Sequence, residues 1–171
     1  NEPMKQNLAM GHSNGVQVSN WDIPTLAGAG AIRSSLHDML RYVAANAGIQ
    51  ETELQRAMQL THQARHDKPG NGTRVGLGWI ISTGAEGDVI WHNGGTGGYR
   101  TFAGFVKETG MGVVVLTNSD KSVDDIGMRL LNSKAKLLEV KKSALAVIKE
   151  SLEAKGLDAA LKTYDEMKKD R

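Results

Sequence analysis

The stretch Trp91-His92-Asn93-Gly94-Gly95-Thr96-Gly97-Gly98-Tyr99 is the most informative part of this 171-residue sequence. It lies between two β-rich runs, Asp88 to His92 and Tyr99 to Lys107. This pattern predicts a strand that ends in a glycine-dense turn carrying one ionisable ring, that of His92. Glycines allow close approach of backbone or ligand, because no Cβ intrudes.

Two more β-rich runs, Val75 to Ser82 and Met111 to Asn118, complete a set of four. The short loops between the four runs predict an antiparallel β-meander. Val113 to Leu116 is apolar without alternation, which favours a strand covered on both faces. The predicted loops are Gly84 to Gly87, Gly94 to Gly98 and Glu108 to Gly110.

Helices are predicted before and after these strands in the sequence. Ser34 or Ser35 followed by Asp38 is typical of an N-cap with a capping box, and the helix should end at Gly48. Its predicted inner face is Leu36, Met39, Leu40 and Val43. A second helix is expected over Glu51 to Gln63, with Leu54, Met58 and Thr61 inward.

The remaining segments before residue 132 receive coarser predictions. Residues 1 to 33 are rich in turn formers and should be loop, with short strands around Gly15 to Val18. Arg65 to Thr73 is polar and contains Pro69, which predicts a mobile surface loop. Asp124 or Asp125 is expected to cap a helix that runs through Leu131.

From about Lys134 the composition shifts to helix formers with regularly spaced charges. We predict two helices separated at Lys155-Gly156. Their apolar stripes would be Leu138, Leu145, Ile148, Leu152 and then Leu157, Leu161, Tyr164, Met167. The fold class is therefore α+β, an antiparallel β-meander with flanking helices plus a C-terminal helical hairpin. The predicted domains are residues 1–132 and a tail, 133–171.

Composition excludes several classes of protein. Hydrophobic residues at 40% and charged residues at 23% are ordinary for a globular chain, and no apolar run approaches the ~20 residues of a membrane span. The absence of cysteine removes disulfides, thiol catalysis and cysteine zinc sites. The net charge is only +2, and acidic and basic residues are interleaved along the chain, so nucleic acid is not an expected partner.

The motifs in residues 20 to 132 resemble, in order, those of the serine penicillin-recognising hydrolases: class C β-lactamases, DD-peptidases and related esterases. Trp91 to Tyr99 resembles the third active-site motif of that family, where Lys-Thr-Gly often appears as His-x-Gly. Ala27 to Ser35 looks like its Ala-Gly-Gly-x-x-Ser-Thr helix entry, and Gly76 to Trp79 its Gly-x-Gly-Trp strand. Gly112 to Ser119 resembles its last strand.

The resemblance implies roles for residues of the third motif. His92 takes the place of the family lysine, Asn93 that of Thr or Ser, and Gly94 that of the glycine. Gly95 would supply a backbone N–H to an oxyanion hole, a contribution of ~3 kcal/mol. Because imidazole titrates near ~6.5, His92 would hold an anionic substrate weakly and act as a hydrogen-bond donor, which favours ester or peptide substrates.

Thr96 and Tyr99 are the predicted substrate-cleft residues. No cofactor and no metal are expected. Outside the resemblance, His92 could be a half-exposed residue at a strand end and the glycines a plain hairpin loop.

The nucleophile of this family is missing before His92. A Ser-x-x-Lys occurs only at Ser133 to Lys136, downstream of the motif in a charged stretch, where chance explains it better. The chain therefore looks like the C-terminal part of such a hydrolase, inactive alone. Its tail is similar to tetratricopeptide-like helical tails, although one hairpin cannot establish a repeat array.

Three other candidates fail on the residues around them. His62 and His66 are spaced for a metal but lack a third ligand, so a solvated pair is expected. The glycines of 94 to 98 lead into a strand without a Lys-Ser/Thr ending, which excludes a phosphate loop. Asp22 and Arg33 are interpreted as a structural ion pair or cap.

Two functions remain. In the first, the chain derives from a serine hydrolase acting by acyl transfer on a small-molecule or peptide acyl substrate, and its partner is the missing N-terminal part. In the second, it is a non-catalytic interaction module that uses an exposed sheet edge and the helical tail. With such an edge exposed, the chain should recruit its complement or self-associate, for example as a homodimer formed by strand or helix exchange. The resemblance implies a periplasmic or extracellular location.

Overall fold

The computed structural model describes residues 6–67, 72–139 and 144–169. The chain forms two compact units, Asn1–Leu137 and Leu138–Arg171. No helix in the described ranges combines the length and the apolarity needed to cross a bilayer.

The first unit is built on a six-stranded antiparallel sheet in sequence order, which confirms the predicted α+β class with an antiparallel meander. A separate two-stranded hairpin precedes it. The hairpin is β1 His12–Ser13 and β2 Val16–Gln17; the sheet is β3 His66–Asp67, β4 Thr73–Val75, β5 Ile80–Thr83, β6 Asp88–Thr96, β7 Tyr99–Val106 and β8 Met111–Thr117.

Helices cover both faces of this sheet and create two apolar cores. The helices are α1 Ala27–Gly30, α2 Leu36–Asn46, α3 Gln55–Thr61 and α4 Asp124–Leu131. The α2-side core contains Val43, Trp79, Ile81, Ile90 and Phe105. The α4-side core contains Val89, Phe102, Val106, Val123 and Leu131. Strand β7 contributes fully buried side chains to both cores.

Strand β8 has partly buried residues on both faces, as its apolar run predicted. Val114 packs against the α2-side core, whereas Val113 and Val115 pack against the α4-side core. It is nevertheless the last strand of the sheet. No strand in the described ranges pairs with its outer edge, and Leu116 is 39% exposed.

Three strand predictions were wrong in their bounds. The run from Val75 to Ser82 is two strands, because the chain turns at Gly76–Trp79 with Gly78 at φ +76° and Gly76 N bonded to Trp79 O at 2.8 Å. Glycines 94 and 95 are in β6, since pairing with β7 outweighs the low strand preference of glycine. The predicted loop before Thr73 includes strand β3, and residues 68–71 of it lie outside the described ranges.

The helix predictions are confirmed in position but partly wrong in their inner faces. Ser35 caps α2 and accepts from Asp38 N at 3.1 Å, as predicted. Leu36 and Leu40, expected inward, are 50% and 44% exposed, and α3 is shorter than expected with Leu54 60% exposed. The N-cap of α4 is Val123 rather than an aspartate, without a side-chain capping bond.

The second unit is the predicted helical hairpin, α5 Ala144–Lys155 and α6 Leu157–Lys169, with Gly156 at φ +85° between them. Ala160 is buried, and Thr163 Oγ1 bonds Ser151 Oγ at 3.2 Å across the two helices. The predicted stripes are only partly inward. Ile148 and Met167 are half-buried, while Leu138, Leu145, Leu152, Leu157, Leu161 and Tyr164 are exposed.

His62 is buried, so the expectation of a solvated histidine pair was wrong. Its ring packs against Trp79 and Phe105, and its Nε2 lies 2.9 Å from Asn46 Oδ1. Because an amide oxygen only accepts, Nε2 carries the proton, and Nδ1 is buried without a partner in the described ranges. Burial, followed by the charge of Lys107, lowers the pKa of His62 to about 4.

We predict that the neutral His62 makes the stability of this unit depend on pH. Below pH ~6.5 the unfolded chain binds a proton at His62, whereas the folded chain does not bind it until about pH 4. The free energy of unfolding is therefore highest above pH ~6.5 and decreases as the pH is lowered from there to about 4. The free energy of unfolding should drop by about 2 kcal/mol from pH 7.5 to pH 5 because of this residue.

Urea unfolding at both pH values measures the effect. His62→Gln should lose most of this pH dependence, whereas His66→Gln, which changes an exposed ring, should keep it. An unchanged pH dependence in His62→Gln would show that other groups cause it.

Candidate functional site

The predicted motif lies at the end of β6, where this strand pairs with β7. The register runs from Val89 opposite Val106 to Thr96 opposite Tyr99, so only Gly97 and Gly98 form the turn. A Cβ at Gly94 would collide with Thr101 Oγ1, and one at Gly95 with the Arg100 guanidinium. Glycine at 94 and 95 therefore lets side chains of β7 lie against the β6 backbone.

Beyond Trp91 the second edge of β6 is not paired with another described strand, because β5 begins at Ile80 opposite Trp91. In the β5–β6 hairpin, Gly84 N donates to Gly87 O at 2.9 Å, so these two residues form a hydrogen-bonded pair. In an antiparallel ladder every second pair is hydrogen-bonded, and the next ones are therefore Ser82 with Val89 and Ile80 with Trp91. Trp91 therefore turns its peptide groups to β5. By the same alternation, the N–H and C=O groups of Asn93 and Gly95 point to the unpaired edge.

His92 lies beside this edge. Strand alternation places its Cβ on the α2 side, opposite Ala103 of β7, and its side chain is exposed. Its Nδ1 is 2.6 Å from the carbonyl oxygen of Asn93, which points to the unpaired edge. Because a carbonyl only accepts, Nδ1 carries the proton. Nε2 is then the ring nitrogen that is left to face a ligand.

Asn93 lies on the opposite, α4 side of the strand. Its Nδ2 donates to Asp124 Oδ2 at 2.7 Å. Asp124 is the first residue of α4 and is half-buried, while Asn93 is exposed. The third motif is thereby tied to α4 by a charge-assisted hydrogen bond.

Thr96 and Tyr99 close the hairpin, and Tyr99 contacts the N-terminal segment. The Tyr99 hydroxyl lies 2.5 Å from the Ala9 carbonyl oxygen and 2.8 Å from Asn20 Oδ1. His12 N donates to Gly98 O at 3.1 Å, and the side chain of Trp21 lies against Gly97. Residues 9–21 therefore hold the tip of the hairpin that carries the motif.

A carboxylate fastens the β1–β2 hairpin to the end of β8. Ser13 Oγ donates to Asp120 Oδ2 at 2.7 Å, and Asp120 N donates to His12 O at 3.0 Å. The Ser13 hydrogen bond, opposed by partial desolvation, holds the pKa of Asp120 below its usual value. Arg100 Nε donates to the Asp120 carbonyl at 3.2 Å, which turns the guanidinium over Gly95.

The predicted site residues thus separate into two sets. His92 and the outward peptide groups of Asn93 and Gly95 meet at the unpaired edge, whereas the Asn93 side chain faces α4. Sequence reasoning missed Asp124 and Arg100 as neighbours of the motif. Arg100 could have been found, because it stands opposite Gly95 once the hairpin register is known; Asp124 required knowledge of where α4 packs.

Ser133, rejected as a nucleophile, does have a neighbouring carboxylate, contrary to expectation. Its hydroxyl donates to Glu86, and this hydrogen bond holds the pKa of Glu86 below its usual value. A carboxylate of lowered pKa is a poor base, and both side chains are exposed. The contact therefore fastens the β5–β6 loop to the chain after α4.

Other candidate features lie apart from β6. Asp22 and Arg33 form the predicted ion pair at 3.9 Å, and both are largely exposed. The described ranges contain no group of three or more His, Asp or Glu residues placed to hold a metal ion. An open groove at the α2–α3 connection involves none of the predicted site residues; it is lined by Gly48, Glu51, Thr52, Glu53, Gln55 and Gln59.

The fold matches solved hydrolase structures. A class C β-lactamase superposes with a TM-score of 0.69 at 22% identity, covering 81% of this chain and 46% of that chain. A β-lactamase/D-alanine carboxypeptidase from Pseudomonas syringae gives 0.67 at 20% identity, covering 80% and 48%. Another class C β-lactamase gives 0.67 at 21% identity, covering 76% and 45%. The chain thus spans less than half the length of each of these structures.

These matches define the fold as the one that class C β-lactamases have. A sequence model of the Beta-lactamase family matches residues 2–135, more than half of the chain. The chain belongs to the Beta-lactamase family.

We predict that the Tyr99 hydroxyl stabilises the hairpin tip. Tyr99→Phe removes its contacts to Ala9 and Asn20 and should lower the free energy of unfolding by about 1 kcal/mol. Tyr42→Phe is the matched control, because the Tyr42 ring stacks on Trp79 and keeps that contact without its hydroxyl. Equal losses in the two variants, measured by urea unfolding, would contradict the assignment.

Proposed function

We propose that this chain supplies one wall of the active site of a serine hydrolase that acts by acyl transfer, of the β-lactamase, DD-peptidase or esterase type. The observation that carries the proposal is the unpaired edge of β6. There the Gly95 N–H is directed outward beside His92, in the position that the family motif gives to an oxyanion-hole donor.

The chain alone should not form an acyl-enzyme. The sequence has no Ser-x-x-Lys before His92, and Ser133 donates to an exposed carboxylate. An oxyanion donor without a nucleophile gives only residual binding terms. The nucleophilic serine, its lysine and the middle-motif tyrosine would come from the partner polypeptide, the N-terminal part of the hydrolase.

Two surfaces support association with such a partner. The outer edge of β8 is unpaired in the described ranges, and Met111 and Leu116 on this strand are exposed. Helix α2 exposes Leu36 and Leu40, which a monomer would leave in water. The same surfaces support self-association as the second candidate, in which the chain is a non-catalytic interaction module.

The test is covalent labelling followed by intact mass. We expect that neither a fluorophosphonate nor benzylpenicillin labels the chain alone. Mixing it with the N-terminal part of the same hydrolase should restore one adduct per complex, located on that part. Gly95→Pro, which removes the N–H, should lower the labelling rate about 100-fold or more relative to Gly95→Ala, which adds the same Cβ beside Arg100 and keeps the N–H.

Ser133→Ala is the control and should not change these results. A one-site adduct on the chain alone that Ser133→Ala abolishes would contradict the proposal. No adduct in either sample would favour the interaction module.

A further inference from the structure

The Asn93–Asp124 hydrogen bond determines which atoms of the Asn93 side chain can bind a ligand on the α4 side of β6. Asn93 stands at the place that the family motif gives to Thr or Ser, whose hydroxyl is free to donate. An ionised carboxylate only accepts, so the amide nitrogen of Asn93 must face Asp124, as the 2.7 Å contact shows. The orientation of this amide is therefore determined by its partner.

The fixed amide leaves its oxygen as the acceptor for a ligand. The second hydrogen on Nδ2 is the remaining donor, but an anion that reached it would also approach the carboxylate bonded to the same nitrogen. Like charges at that separation repel each other. An uncharged N–H or O–H group meets no such penalty at Asn93 Oδ1.

Arg100 is a cation on the same side of β6, and it lies over Gly95, two residues further along the strand. Its Nε donates to the Asp120 carbonyl. The Asn93 position thus has its own carboxylate next to it, and the guanidinium is directed to a different residue.

We infer that the Asn93–Asp124 pair recognises a neutral hydrogen-bond donor on the substrate, an amide N–H or a hydroxyl, and disfavours a carboxylate there. This inference rests on the proposed role of the β6 edge in acyl binding, and it names the substrate class: acyl compounds with an amide or hydroxyl near the acyl group.

The test uses two ligands of the same shape, benzamide and benzoate, which differ only in presenting NH2 or a carboxylate. Each is titrated into the ¹⁵N-labelled chain at pH 7 while the Asn93 side-chain and Gly95 backbone signals are followed by NMR. We expect the carboxamide to bind about fivefold more tightly, as one neutral hydrogen bond allows. Asp124→Asn should reduce the preference to less than about twofold, because the amide can then turn either way.

Asp125→Asn is the matched control, since it removes the same charge one residue later, and it should keep the preference. Tighter binding of the carboxylate, a preference unchanged in Asp124→Asn, or no response of Asn93 to either ligand would each overturn the inference. Labelling of the complemented hydrolase does not depend on this preference. If adding the N-terminal part did not restore labelling, the proposed function would be contradicted. The ligand preference would still be decided by the titration.

Discussion

The pairing of β6 with β7 is the constraint on which the rest of the first unit depends. Eight consecutive residue pairs set the register, and the side chains of β7 alternate between the two cores, with Phe102 and Phe105 both fully buried. A shift by one residue would exchange the two faces, moving Phe102 to the α2 side and Phe105 to the α4 side. The same register determines which peptide groups of residues 92–96 face β7 and which point outward.

Cross-strand packing explains why this register tolerates so many glycines. Gly104 leaves room for Trp91 and Leu131, and Gly127 of α4 lies directly on the Phe102 ring. The glycines let helix and strand backbones approach closely over large aromatic side chains. The motif strand is thus held by the core under its first half, while its second half is kept in place by residues 9–21 and by Asp124.

Much of this arrangement was predictable from the sequence. The meander, the Ser35 cap and the hairpin at Gly156 follow from local patterns that the tertiary structure preserves. The inner faces of the helices were not predicted correctly, because Leu36 and Leu40 are apolar yet exposed. The spacing of apolar residues does not show which of them pack in the core of this chain. His62 was misjudged because its burial depends on Trp79, from the turn between β4 and β5, and on Phe105 of β7.

In the candidate site, too, the residues could be predicted from local sequence, whereas their hydrogen bonds could not. The motif identified His92 and Gly95, because a glycine-dense strand end is visible in the sequence. The tautomer of His92 and the orientation of Asn93 were not predictable, since each depends on a single hydrogen bond, one to a backbone carbonyl and one to a carboxylate 31 residues away.

The Gly95 N–H points to an unpaired edge, while the N–H groups of its two neighbours are bonded to β7. Amide hydrogen exchange, followed by NMR on the chain alone, measures this difference. We expect slow exchange at His92, Gly94 and Thr96 and fast exchange at Asn93 and Gly95. Exchange at Gly95 as slow as at Gly94 would mean that its N–H is already bonded, and would contradict this orientation.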